Sequence, residues 1–251
     1  MDDETQDIDY VLEDWPYQPG LLSARLVRCA DGRDVVQMRI EMGLLQMETT
    51  GRPDGQRPEG AETYLDYLLQ RSFAEGDEFA LTEEECLEID REFLLFYHRR
   101  ICCLALQEFE QAVRDADHSL ALMDFASKHS PDDQWTVAHE QYRPLVLFHR
   151  AQAAALEQLQ ESGPEAAVER CNVGIQTLRD FFEEIEAEEQ FETNEIVQQL
   201  TDLRESLRNE YDLGKTLAEQ LAEAVAAEEY ERAARLRDEI AARTPPLDPS
   251  K

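Results

Sequence analysis

The amino-acid sequence of 251 residues predicts a mainly α protein with a small β-rich module near its N-terminus. Residues 22–49 contain short runs in which apolar and polar residues alternate, which is the period of a half-buried strand. From residue 61 onwards the apolar residues recur at helical spacing instead. Residues 51–60 lie between the two patterns and are rich in glycine and proline, which marks a loop. We therefore predict a β hairpin or meander followed by an antiparallel helical array.

The first sixty residues divide into an acidic lead-in and the β-rich module. Residues 1–14 are rich in aspartate and glutamate, and we expect them to be disordered. Residues 15–60 form the module, in which the Asp31-Gly32 pair is a strong turn signal. The alternating runs in this module are Leu22–Arg28, Asp34–Ile40 and Leu44–Thr49.

The loop 51–60 offers a candidate recognition site, because it places Arg52, Asp54 and Arg57 in a rigid segment of an otherwise acidic chain. Methionines of the preceding hairpin could add an adaptable apolar surface beside it. In the alternative interpretation, glycine and proline form a turn and the arginines pair with local acids. We favour the alternative.

The helical body is predicted over residues 61–211. Thr82 and Glu85 have the spacing of a capping box, which predicts a helix start at that point. Ser130-Pro131-Asp132-Asp133 ends one helix and caps the next, and Ser162-Gly163-Pro164 is a second stop and restart. The predicted helices cover residues 61–73, 82–106, 108–128, 137–160, 164–189 and 192–211.

A loose repeat lies inside this body. Small residues recur at positions where a second helix can cross a first at close distance. This pattern resembles tetratricopeptide repeats over residues 84–185, although the spacing is longer and the signature residues of that family are missing. A generic helical bundle accounts for the same positions. The two copies are Phe109, Ala112, Ala116 and Leu120, and Ala167, Cys171, Gly174 and Ile175.

The C-terminal segment 212–243 contains the most specific pattern of the chain. Two apolar stripes at helical spacing, separated by a short break, predict a helical hairpin. The first stripe is Leu217, Leu221 and Val225. The second is Tyr230, Ala233, Ala234, Arg237 and Ile240. We expect the alanines to let the two helices approach closely, and Tyr230 to close the turn by packing back.

The string from Tyr230 to Ile240 (aromatic, Glu, x, Ala, Ala, x, Leu, Arg, Asp, x, Ile) resembles the UVR motif. That motif is found in the B and C subunits of the bacterial excision-repair nuclease, in some Clp ATPases and in an activator of protein arginine kinase. The alternative is a plain C-terminal coiled hairpin that carries the same residues.

The UVR resemblance implies a hairpin used for pairing between proteins. The implied partner is another protein, including one with its own UVR hairpin, or a second copy of this chain. The implied function is a non-catalytic adaptor or regulator, with an accessory role in nucleotide excision repair as the alternative. The candidate partner-binding residues are Leu221, Val225, Tyr230, Glu231, Ala233, Ala234, Leu236, Arg237, Asp238 and Ile240.

The helical body contains a second string that is similar to this one. The two strings have the same order of residue types: Glu108-Phe109-Glu110-Gln111-Ala112 and Glu229-Tyr230-Glu231-Arg232-Ala233. The second helix of a hairpin commonly begins with an aromatic residue, an acid, any residue and an alanine. The similarity therefore does not require a second UVR unit.

The charge of the chain restricts its partners. Lys and Arg number 24 against 56 Asp and Glu, a formal net charge of −32. Such a field repels phosphates and anionic membrane surfaces, which makes direct nucleic-acid binding unfavourable and favours basic protein partners. The alternative is that the charge serves solubility alone.

Targeting signals and cysteines favour a cytoplasmic protein. The sequence begins with acidic residues instead of the basic and apolar regions of a secretory signal. No apolar run approaches the length of a membrane helix. The five cysteines are odd in number and have no repeated spacing, which is typical of reduced thiols. Residues 244–251 are expected to be a disordered tail.

No motif for catalysis, a metal or a cofactor is complete. Gly214-Lys215-Thr216 resembles the end of a phosphate-binding loop, but Asn209 stands where that loop needs glycine. His139-Glu140 does not extend to a zinc motif, because Arg143 replaces the second histidine. No Cys-x-x-Cys pair occurs. We therefore expect no enzyme, no cofactor and no metal site, and a metal-dependent hydrolase or nuclease centred on acidic residues and His139 is the less favoured alternative.

Overall fold

The structure is a computed structural model that describes residues 7–243, with side chains as far as Ala242. The predicted disorder of residues 1–6 and 244–251 lies outside the described residues. The chain divides into two compact units between Ala153 and Ala154, a boundary that falls inside one helix.

The first unit contains a three-stranded antiparallel sheet in the order β1-β2-β3. The register places Leu26 opposite Val36, and Val36 opposite Met47. The predicted antiparallel meander is therefore confirmed, with Gly32 at positive φ in its first turn. The strands are β1 (Ala24–Arg28), β2 (Asp34–Ile40) and β3 (Gly43–Glu48).

The acidic lead-in differs from the prediction of disorder over residues 1–14. A short helix, α1 (Asp9–Asp14), lies within it. Val11 and Leu12 of this helix are half-buried, and apolar contact of this kind stabilises local structure that the surrounding acids do not favour.

In the described part of the first unit, five α-helices follow the sheet, and several of their starts match the predicted caps. The Thr82 hydroxyl accepts from Glu85 N while the Glu85 carboxylate accepts from Thr82 N, a complete capping box. The Asp132 side chain accepts from Gln134 N at the start of the helix Asp133–Glu140. The helices are α2 (Tyr64–Glu75), α3 (Glu83–Ala105), α4 (Phe109–His129), α5 (Asp133–Glu140) and α6 (Arg143–Glu161).

The single helix predicted over residues 137–160 is wrong, because the chain forms α5 and α6 there with a break at Gln141 and Tyr142. Pro144 explains the break. Proline lacks a backbone N–H and fits the first turn of a helix, but it disrupts a helix interior. The periodic apolar residues run through the break and hide it from a periodicity argument.

The core of the first unit has two main parts. On one side of the sheet, Val36 and Met47 pack with Cys102 of α3. A larger cluster joins α2, α3 and α4 through Leu68, Ile89 and Leu122. Helices α3 and α4 form the most extensive helix pair of the unit, with Ala112 and Ala116 fully buried, as expected for the small positions of the loose repeat.

The second unit contains helices α7 and α9 packed against each other, with Ala167, Cys171 and Gly174 buried on α7. The predicted helix 164–189 is too long, because α7 ends at Glu184 and Glu186 adopts a positive φ of 55°. The tetratricopeptide-like character of the array remains an interpretation. The helices are α7 (Pro164–Glu184), α8 (Glu188–Phe191), α9 (Glu195–Tyr211), α10 (Leu217–Ala226) and α11 (Tyr230–Arg243).

Across residues 7–243, none of the helices combines the length and the apolar character that a bilayer crossing requires.

Candidate functional site: the C-terminal helical hairpin

Helices α10 and α11 form the predicted hairpin, and local contacts determine both ends of α10. At its start, the Thr216 hydroxyl accepts from Glu219 N at 3.2 Å and Thr216 N donates to the Glu219 carboxylate at 2.7 Å. At its end, Glu228 adopts a φ of 59° and Glu229 N donates to Ala224 O at 2.8 Å. These bonds close the last turn of α10 and reverse the chain into α11.

The inner seam of the hairpin is formed by Ala224, Ala233 and Leu236, which are buried between the two helices. Leu217 and Leu221 are half-buried against this seam. The close approach predicted for the alanines therefore holds for Ala233. The methyl group of an alanine lets the two helix backbones approach more closely than a larger side chain would.

The outer face of the hairpin carries the remaining candidate residues. Val225 is 54% exposed and Tyr230 is 69% exposed. The expectation that Tyr230 packs back on the turn is wrong. Residues 226–229 of the turn are small or charged and exposed themselves, so nothing there covers the ring. The other exposed candidates are Glu231, Ala234, Arg237 and Asp238, and Ile240 is half-buried.

The hairpin contacts the rest of its unit through its root, which is the start of α10 with Thr216 and Glu219. The Thr216 hydroxyl donates to a carboxylate oxygen of Glu169 on α7 at 2.9 Å. Arg208 of α9 is paired with Glu219. In the described part of the unit, no other element packs along α10 or α11. The two helices therefore rely on each other for packing, and on a few polar bonds for their position.

The Glu219 carboxyl at this root has a lowered pKa. Burial acts to raise the pKa of Glu219, but the hydrogen bonds from Thr216 N and Arg208 outweigh it, and the pKa lies below its ordinary value. The charged form is therefore the one that caps α10 and joins it to α9.

The second candidate region, the loop with Arg52, Asp54 and Arg57, is only partly exposed. Arg52 is 2% exposed, and its guanidinium lies 3.0 Å from Glu88 and 3.5 Å from Glu92 of α3. Asp54 lies 3.3 Å from the same guanidinium. Only Arg57 is exposed, 4.0 Å from Glu62. The interpretation that the arginines pair with acids is correct for Arg52, although its partners on α3 are distant in sequence.

The charges buried near this loop have structural partners. Glu92 is fully buried and accepts hydrogen bonds from Tyr64 N at 2.8 Å and from Leu65 N at 3.0 Å, at the N-terminus of α2. The His118 ring lies 3.0 Å from the same carboxylate. On α3, Arg99 contacts both carboxylate oxygens of Asp115 on α4. These groups hold the sheet, α2, α3 and α4 together.

The candidates for catalysis and metal binding have structural contacts as well. His139 lies within hydrogen-bond distance of Trp135 O through Nδ1, and of Asp90 through Nε2 at 2.8 Å. Burial raises the pKa of the Cys102 and Cys103 thiols to about 12, so both are inert core thiols. Among residues 7–243, no group of three or more His, Cys, Asp or Glu side chains is placed to hold a metal ion.

Two features of the hairpin root were missed from the sequence. The Thr-x-x-Glu spacing of Thr216 and Glu219 is a capping-box signal that was available. Glu169 and Thr216 are 47 residues apart in the sequence, and no local pattern predicts their contact.

The comparisons with known proteins single out the same segment. No curated protein and no solved structure matches the chain. One family model, described as the UvrB/uvrC motif, matches residues 215–242. These residues are the capping pair at the root, α10, the turn and α11 as far as Ala242. The C-terminal hairpin of this chain is therefore a UVR motif.

Proposed function

We propose that this protein is a non-catalytic adaptor or regulator that binds another protein through the outer face of its UVR hairpin. The observation that carries the proposal is the division of the hairpin into two faces. Ala224, Ala233 and Leu236 are buried inside it, whereas Val225 and Tyr230 project from it and are each more than half exposed.

The energetics of short helices support this proposal. Isolated helices shorter than about 12–15 residues are marginal in water, and α10 and α11 have 10 and 14 residues. A partner that covers Val225 and Tyr230 would bury the exposed part of each side chain, a fraction of the roughly 1.5–3 kcal/mol that full burial of a large apolar side chain contributes. Tyrosine is favoured at interfaces because it combines a large apolar ring with a polar hydroxyl.

The proposal is tested with a variant that changes only the outer face. Val225→Ser combined with Tyr230→Ser removes apolar surface and leaves the inner seam intact. Phe73→Ser is the matched control, because Phe73 is 92% exposed on α2, outside the hairpin. We expect affinity capture from lysate of the source organism to lose specific proteins with the double variant and with deletion of 217–243, and to keep them with the control. An unchanged set of bound proteins for all variants contradicts the proposal.

A narrower candidate is an accessory factor of nucleotide excision repair, in which the hairpin docks a repair nuclease subunit. The motif match at residues 215–242 favours it. Its test is direct binding of the purified protein to a purified nuclease subunit that carries a UVR hairpin. Ultraviolet survival of a deletion strain equal to that of its parent would count against this candidate.

The proposal includes a cytoplasmic location and the absence of catalysis. Five free cysteines are compatible with a reducing compartment. The metal-dependent hydrolase is the competing class, and elemental analysis after a soak in Mg²⁺ or Mn²⁺ separates the two. Stoichiometric retained metal would favour the hydrolase.

A further inference from the structure

A cleft of about 580 Å³ opens between the root of the UVR hairpin and the first turns of α7. This volume is within the range of roughly 300–1,000 Å³ that binding pockets span. The walls come from α7, from the linker before α10, from the first turn of α10 and from α11. The apolar lining includes Ala166, Leu213, Leu217, Ala218 and Ile240.

The cleft lies where the hairpin diverges from α7, because the two have no extensive helix-to-helix contact. Thr216 is bonded to Glu169, but α10 and α11 do not pack along α7. A side chain that entered the cleft would contact α7 and the hairpin together. It would therefore supply the packing that the hairpin lacks in the described chain.

The charges of the lining define what the cleft accepts. Lys215 is paired with Glu223 of α10 and is neutralised by it. Glu169 is half-buried and accepts the Thr216 hydroxyl, but within residues 7–243 it has no cationic partner. A cation placed next to this carboxylate would be attracted to it electrostatically. The lining is thus complementary to an apolar side chain next to a cationic one.

We propose that this cleft binds a segment of the partner protein in which an apolar side chain lies beside a lysine or arginine. The apolar side chain fills the space between α7 and the hairpin, and the cation pairs with Glu169. The inference rests on the proposed function of the hairpin as a binding element. The net charge of −32 adds to it by attracting a basic segment at long range.

The test uses the full chain and two short synthetic amphipathic peptides, one of leucine and lysine and one in which glutamine replaces every lysine. Binding is measured by fluorescence anisotropy, and the site is mapped from backbone amide shifts in NMR spectra. We expect the lysine peptide to bind more tightly than the glutamine peptide. We also expect the largest shifts at Ala166, Ala218 and Ile240.

Three variants separate binding in the cleft from general attraction to an acidic protein. Glu169→Gln keeps an oxygen that accepts the Thr216 hydroxyl but removes the charge, and we expect it to weaken binding about tenfold. Glu184→Gln, at the far end of α7 about 22 Å along the helix, is the control without effect. Ala218→Trp fills the cleft and abolishes binding.

Equal weakening by Glu169→Gln and Glu184→Gln, or shifts spread over the acidic surface, would overturn the inference. Such a result leaves the proposed function intact if the Val225 and Tyr230 double variant still loses its bound proteins. The two ideas can therefore fail separately.

Discussion

Two helical hairpins of this chain have the same turn and opposite surroundings. Between α3 and α4, Gln107 has a φ of 62° and Glu108 N donates to Cys103 O; between α10 and α11, Glu228 has a φ of 59° and Glu229 N donates to Ala224 O. The next residue is an aromatic one in both. Phe109 is 8% exposed, whereas Tyr230 is 69% exposed. The local sequence therefore determines the turn, and the surrounding fold determines whether the aromatic ring is buried.

The same contrast extends to charge. The pair of Arg99 and Asp115 is buried between α3 and α4, whereas Arg237 and Asp238 pair on the surface of α11. One hairpin is integrated into a core, and the other presents its side chains to solvent.

Removal of a charge from the buried pair should have the largest effect. Asp115→Asn leaves the Arg99 guanidinium buried without its carboxylate, and we expect a loss of roughly 3–5 kcal/mol in the free energy of unfolding. Asp238→Asn is the control on α11, with an expected change within about 0.5 kcal/mol because its pair is exposed. Urea unfolding measures both. Similar values for the two variants would remove the distinction between the hairpins.

Truncation of the aromatic residues at the two turns compares the same position directly. Phe109→Ala should cost about 3–5 kcal/mol, since it removes a buried ring. Tyr230→Ala should cost less than about 1 kcal/mol because the ring is largely in solvent. Thermal unfolding and urea unfolding provide the measurement. If Tyr230→Ala is as destabilising as Phe109→Ala, the tyrosine is covered in solution and the outer face is not free.

Low pH should destabilise the first unit through the buried His149, whereas the hairpin, residues 217–243, contains no histidine. Burial, together with the neighbouring Arg100 guanidinium, lowers the pKa of His149 on α6 to about 4. The unfolded chain binds this proton near pH 6.5, so the contribution is complete above pH 6.5 and is lost as the pH falls towards 4. The expected loss is roughly 3 kcal/mol. An NMR titration in which His149 has a pKa near 6.5 would be incompatible with this account.

The smallest effect concerns the adjacent alanines of α11. Ala233→Leu places a larger side chain in the closed seam and should destabilise the hairpin by about 1–3 kcal/mol. Ala234 faces solvent, so Ala234→Leu should leave the stability of the hairpin nearly unchanged. Hydrogen exchange of the α10 and α11 amides reports the local stability of the hairpin. Equal protection in both variants would show that the seam is not closed as described.

Features encoded within a few residues were predictable from the sequence. The Asp31-Gly32 turn, the Thr82 capping box and the Asp132 cap are local, and each lies where its pattern placed it. The UVR hairpin was predicted for the same reason, because its string of residues is continuous from Tyr230 to Ile240.

Features that depend on distant residues were not predictable. Arg52 is buried because Glu88 and Glu92 lie on a helix more than thirty residues later in the chain. Tyr230 is exposed because, within its own unit, no described element other than α10 packs along α11, and a periodic stripe carries no information about that. The carboxylate of Glu169 faces the hairpin root for the same reason, through a fold-dependent contact.

The most direct test of the outer face is site-specific photo-crosslinking in living cells. A benzophenone amino acid replaces Tyr230 in one strain and Phe73 in another, so that two exposed aromatic positions are compared. We expect a discrete crosslinked protein from position 230 and none from position 73. The absence of a crosslink at 230, or the same crosslinks at both positions, would contradict the claim that the outer face of the UVR hairpin is a binding surface.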